Sequence, residues 1–210
     1  MLKREDLLKE ITSFNNGHAE YMVKNIDKEA LIDCAIEYMD KYVNSKTIGN
    51  VHEKDGMVYF TTCEKDYPDF SIYLSAKFPN AFIYATVCWD FNVLYTYIGG
   101  EDISFEEGKE KYYNASVEEC FVDEGLRIDL DITDKETGAS LYVGDLFCVN
   151  SENALDALKE VIETGENNTQ YCEFDTIAIY LDLCPEIKEL IEKNNVYEEL
   201  KGCIEEEAEI

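Results

Sequence analysis

The 210 residues carry 18 basic against 46 acidic side chains, a formal charge of −28, and are 46% hydrophobic and 12% aromatic. That field repels DNA, RNA and anionic membrane, so direct nucleic-acid binding is excluded without a basic patch. The apolar content is ample for a packed core.

Residues 3–14 (KREDLLKEITSF) place Leu7, Ile11 and Phe14 on one stripe, and residues 28–43 (KEALIDCAIEYMDKYV) repeat the spacing with Leu31, Ala35, Tyr38 and Tyr42. Both are expected as helices, the second capped by Asp27. "TIGNVHEKDGMVYFTTCE" reads as two strands joined at Lys54-Asp55-Gly56, a short hairpin signal. "DFSIYLSAKF" is a third helix, with Ile72 and Ala76 flanked by Phe70, Tyr73 and Phe78, and it ends at Pro79. "AFIYATVCW" and "NVLYTYIGG" form an aromatic hairpin closed by Gly99-Gly100. Its alternation puts Phe82, Tyr84 and Thr86 on one face and Ile83, Ala85 and Val87 on the other, so both faces are expected to be covered. A base-stacking platform would need a basic funnel, which this segment lacks.

In "LRIDLDITDKETGASLYVGDLFCV", Leu126, Ile128, Leu130 and Ile132 point one way, and Arg127, Asp129, Asp131 and Thr133 the other. Residues 135–138 turn this strand into a partner at 140–149. A helix is expected at 151–164, with Leu155, Leu158 and Ile162 on one stripe, Ser151 as N-cap and Gly165 as stop. "TQYCEFDTIAIYLDL" reads as a further strand, Pro185 opens a helix to Lys193, and "VYEELKGCIEEEAEI" is a last helix running into an acidic tail. The sum is one α+β domain over residues 1–210. It has an antiparallel sheet of about five to seven strands with helices packed on it, a helical part at 1–46, sheet with helices at 47–183, and acidic helices at 184–210.

Cysteines at 34, 63, 88, 120, 148, 172, 184 and 203 contain no pair closer than 12 residues, hence no CxxC knuckle. Several sit among apolar residues ("IDCAIEY", "TVCWDF", "DLFCVN"), and MLKREDLLKEI reads as an amphipathic helix rather than a secretion signal. Reduced, buried thiols in a cytoplasmic protein are expected. No apolar run approaches the roughly 18 residues that span a bilayer. His18 and His52 lack the company of clustered thiolates or further imidazoles, so no metal site is expected. Nothing suggests a Cys–His nucleophile pair. "DLDITDKETG" crowds Asp129, Asp131 and Asp134, yet puts Asp134 and Ser140 where a calcium loop needs Gly and Glu. No catalytic residue and no cofactor is expected.

The acidity lies toward the C-terminus. Residues 1–46 hold 7 basic and 9 acidic side chains, residues 47–116 hold 5 and 11, and residues 117–210 hold 6 and 26. Asp129 and Asp131 are expected about 7 Å apart on a solvent-facing strand. Asp134 and Glu136 follow at a turn, and Glu152, Asp156, Glu160 and Glu163 on a helix face. Such rows offer a rigid substitute for the phosphate array and a partner for a basic protein surface.

In acidity, size, α+β make-up and lack of catalytic groups, the chain resembles the DNA-mimic inhibitors of phages and mobile elements, the anti-restriction and anti-CRISPR proteins. That resemblance implies an acidic inhibitor bound to the nucleic-acid-binding surface of a defence nuclease complex. The alternatives are an immunity or antitoxin protein neutralising a basic nuclease, and a generic cytoplasmic interaction domain. The segment "YLSAKFPNAFIYATVCWD" is similar to the plasmid-borne YubB-type ferredoxin-like family, which implies a ferredoxin-like sheet. Aromatic strands also offer an edge for pairing in a homodimer.

Overall fold

The computed structural model describes residues 3–8, 17–43, 47–63, 68–88, 92–122, 125–149, 152–170, 174–181, 186–193, 195–198 and 200–202. Helix α1 (Arg4–Leu7) is followed by β1 (His18–Lys24), α2 (Lys28–Tyr42), β2 (Ile48–Lys54), β3 (Met57–Cys63), α3 (Asp69–Lys77) and β4 (Phe82–Cys88). Then come β5 (Asn92–Ile98), the short β6 (Glu101–Asp102), α4 (Phe105–Lys111), and the long strands β7 (Tyr113–Val122), β8 (Gly125–Asp134) and β9 (Ser140–Val149). Helices α5 (Glu152–Thr164), α6 (Phe174–Leu181) and α7 (Glu186–Lys193) complete the order. The expected α+β class holds, with a six-stranded sheet β2-β3-β1-β4-β5-β6 and a three-stranded sheet β7-β8-β9. No helix among the described residues is long and apolar enough to cross a membrane.

The chain, read from sequence as one domain, divides into two compact units. The first comprises Met1–Trp89, Val93–Asn114 and Ile132–Leu141, and the second Asp90–Asn92, Ala115–Asp131 and Tyr142–Ile210.

In the first unit β1-α2-β2-β3-α3-β4 is a split βαβ arrangement, with β1 antiparallel to both β3 and β4. Lys54 pairs with Met57 across a two-residue turn, and Asp55 (φ 53°) and Gly56 (φ 77°) both take the left-handed conformation that such a turn requires. Asp27 caps α2 as expected, accepting the amides of Glu29 and Ala30 at 2.9 and 3.1 Å. One face of the sheet (Ala19, Tyr21, Val23, Phe60, Ile83, Ala85) packs on α2 and α3. Tyr21 stacks on Phe60 at 4.3 Å, and its hydroxyl accepts from Thr62 and Ser71. The opposite face is covered as well. Met22, Phe82, Tyr84 and Thr86 are all buried, with Tyr112 4.4 Å from Phe82 and Tyr113 5.9 Å from Tyr84 between ring centroids. The aromatic run is therefore a two-sided core strand, as its alternation implies.

In the second unit, α5 packs on α6 and α6 on α7, and Leu155, Leu158, Val161, Ile162, Phe174, Ile177, Ile187 and Ile191 of these helices are all buried.

Four expectations need correction. Residues 18–24, expected in a helical part at 1–46, form strand β1, because their apolar side chains are buried on a segment paired between β3 and β4. Residues 174–181, expected in a strand, form helix α6. In α3 the buried positions are Phe70, Ser71, Leu74 and Ser75, while Ile72 is 44% exposed. Tyr42, placed on the buried stripe of α2, is 56% exposed. The expected helix beyond residue 8, the caps at Ser151 and Pro185, and the terminal acidic tail lie outside the described residues.

Candidate functional site

The eight carboxylates singled out from sequence do not form one row. Asp134 and Glu136 belong to the first unit, and Asp129, Asp131, Glu152, Asp156, Glu160 and Glu163 to the second.

Asp134 corrects the expectation of a solvent-facing turn, because it is 1% exposed. It shares strand parity with Ile128, Leu130 and Ile132, each fully buried, so it is the last residue of the inward face. Its Oδ2 accepts from Lys24 Nζ at 2.8 Å and from the Tyr84 hydroxyl at 2.5 Å. Its Oδ1 accepts the amides of Glu136 and Thr137 and the Thr137 hydroxyl at 2.8–3.0 Å. Burial opposes ionisation, but the Lys24, Tyr84 and Thr137 bonds outweigh it and hold the carboxyl down at about 2. Burial likewise opposes the Lys24 charge, and Asp134 and Glu136 outweigh it, so the ammonium is raised above its ordinary value. The Tyr84 hydroxyl is pushed up by burial and by Asp134. This cluster pins the turn after β8 to β1 and β4 and is structural.

Asp129 is only 9% exposed and accepts the Tyr142 hydroxyl at 2.9 Å. Asp131 is half-buried; burial, then the charges of Asp129 and Glu118, raise its carboxyl. The strand acids are thus largely sequestered. Glu136 is exposed, 3.1 Å from Lys24 Nζ.

The acids of α5 are different. Its apolar arc (Ala154, Leu155, Ala157, Leu158, Val161, Ile162) is buried, which leaves Glu152, Asp156, Glu160 and Glu163 exposed on the opposite arc. At 100° and 1.5 Å per residue these four fall within about 80° and step along the axis by about 5–6 Å. Lys159 shares the arc and offsets one charge, its Nζ lying 3.8 Å from Asp156 Oδ1 and 5.4 Å from the Tyr197 ring centroid. The Tyr197 hydroxyl is pushed up to about 12 by burial, then by Glu192 of α7 and Glu163 of α5. Carboxylates from two helices, α5 and α7, therefore act on one ring. By residue content the first unit holds 13 basic and 21 acidic side chains (−8), and the second 5 and 25 (−20).

Sequence reasoning missed Lys24, because β1 went unread; its signal is the short apolar run AEYMV between Asn-Asn-Gly and Asn25. Among the described residues no group of three or more His, Cys, Asp or Glu could hold a metal ion. His52 stacks on Tyr59 (5.3 Å, 12°) beside a shallow cleft of about 240 Å³. Comparison with protein-family models, curated proteins and solved structures finds no match to this chain.

Proposed function

We propose that the chain is a non-catalytic acidic inhibitor whose second unit occupies the basic nucleic-acid-binding surface of a defence nuclease complex. The observation that carries this reading is the segregation of charge: −20 in the second unit, with four exposed carboxylates on one arc of α5. One strand of duplex DNA presents a charge about every 3.4 Å of axis. A row stepping by about 5–6 Å has a little over half that density, so α5 alone is a sparse imitation. Glu186, Glu189 and Glu192 of α7, all exposed, supply a second row. Each contact with Lys or Arg is weak and screened by salt, and affinity arises from their sum on a preformed surface.

The test is the variant Glu152→Gln, Asp156→Asn, Glu160→Gln, Glu163→Gln. These side chains are exposed, so the melting midpoint is expected to stay put or rise as self-repulsion falls. Inhibition of a sensitive nuclease is expected to drop by about tenfold or more. Undiminished inhibition by the folded variant would refute the α5 surface.

A further inference from the structure

A cavity of about 310 Å³ in the first unit is lined by two rings, Phe82 and Tyr112, by Lys24, Lys111 and Lys135, and by Glu136. Three of its eight lining residues are lysines, in a chain with 18 basic residues in 210, so this wall runs against the field of the whole molecule. The ring centroids are 4.4 Å apart at 42°, and Lys24 Nζ lies 5.9 Å from the centre of Phe82.

The two carboxylates on Lys24 are held unequally. The Asp134 side chain is fully buried and bonded on both oxygens. The Glu136 side chain is 74% exposed and meets the nearly buried Lys24 at 3.1 Å, so the carboxylate half of this pair is solvated and screened while the ammonium half is not. Glu136 can swing to solvent at small cost and leave its place on an almost buried ammonium to another anion. Lys135 donates to the carbonyls of Lys109 and Glu110, and Lys111 to Glu107 at 2.9 Å. An ammonium has three donors, so both keep some for a ligand.

We propose that this cavity binds a small organic anion of mononucleotide size. Its phosphate displaces the Glu136 carboxylate from Lys24 and draws on Lys111 and Lys135, while its flat ring lies against the half-buried Tyr112, which packs on the buried Phe82. The volume sits at the lower end of small-molecule sites, and aromatic faces accept any base.

The experiment is calorimetric titration with AMP and UMP, with adenosine and inorganic phosphate as the ring-only and anion-only probes. The native chain is expected to bind both mononucleotides in roughly the high-micromolar to millimolar range, and each half-ligand more weakly. Glu136→Gln removes the competing carboxylate and is expected to tighten binding about tenfold, while Lys111→Gln weakens it by a similar factor. Lys111 is exposed, so its variant should fold normally; equal melting midpoints verify this. No binding at about 10 mM mononucleotide, affinities that neither variant moves, or phosphate alone binding as tightly as AMP would overturn the proposal.

Discussion

Asp134 shows how a single residue's parity decides its role. Asp134 stands at the start of the turn but lies an even number of positions from Ile128, Leu130 and Ile132. Read by parity, its inward direction is legible in the sequence; the identity of its partners is not, because Lys24 and Tyr84 lie 110 and 50 residues away. Replacing Asp134 with Ala leaves Lys24 nearly buried with only an exposed partner, and should cost about 3–5 kcal/mol in urea unfolding. The pH dependence follows from the same bonds. The folded carboxyl titrates near 2, below its ordinary 3.8, so its contribution of about 2 kcal/mol is present above the ordinary value and is lost as pH falls through about 2. A urea midpoint that does not fall over that range would count against the cluster. Gly108 gives a second test at this scale. A Cβ there would lie 2.3 Å from the Tyr113 ring, so Gly108→Ala should lower stability by about 1–3 kcal/mol despite better helix propensity.

At the scale of elements, what sequence conveyed depended on whether local and tertiary preferences agree. Helix α2 and the β2–β3 hairpin were legible because cap, stripe and turn chemistry point the same way. Segment 174–181 was not: Thr176, Ile177 and Ile179 favour a strand, but α6 packs between α5 and α7 contacts, and tertiary context overrides propensity. Strands β1 and β7 were missed for another reason, since each mixes charged and apolar residues without sustained alternation. Helix α4 did carry a signal, Ser104 three residues before Glu107, and Ser104 Oγ accepts the Glu107 amide at 3.2 Å. Ser104→Ala should therefore cost about 1 kcal/mol in thermal or urea unfolding; no loss would show the cap to be dispensable. Of the candidate site, the α5 acids were readable from helical spacing alone, whereas the strand acids were misjudged because packing at β8 cannot be seen in one chain of letters.

At the scale of the whole molecule, the division of charge between the units is the feature that most needs explanation. A net −28 destabilises a compact state by self-repulsion. Concentrating −20 in one unit is intelligible if that unit meets a strongly basic surface. The most direct measurement is displacement of a labelled DNA duplex from a panel of restriction and CRISPR effector nucleases, followed between about 50 and about 200 mM salt. Displacement from a member of the panel is expected, weakening by an order of magnitude or more across that range, with a shallower salt dependence for the α5 variant. Displacement that is insensitive to salt and unchanged in the variant, or absent from every member, would contradict the proposed function.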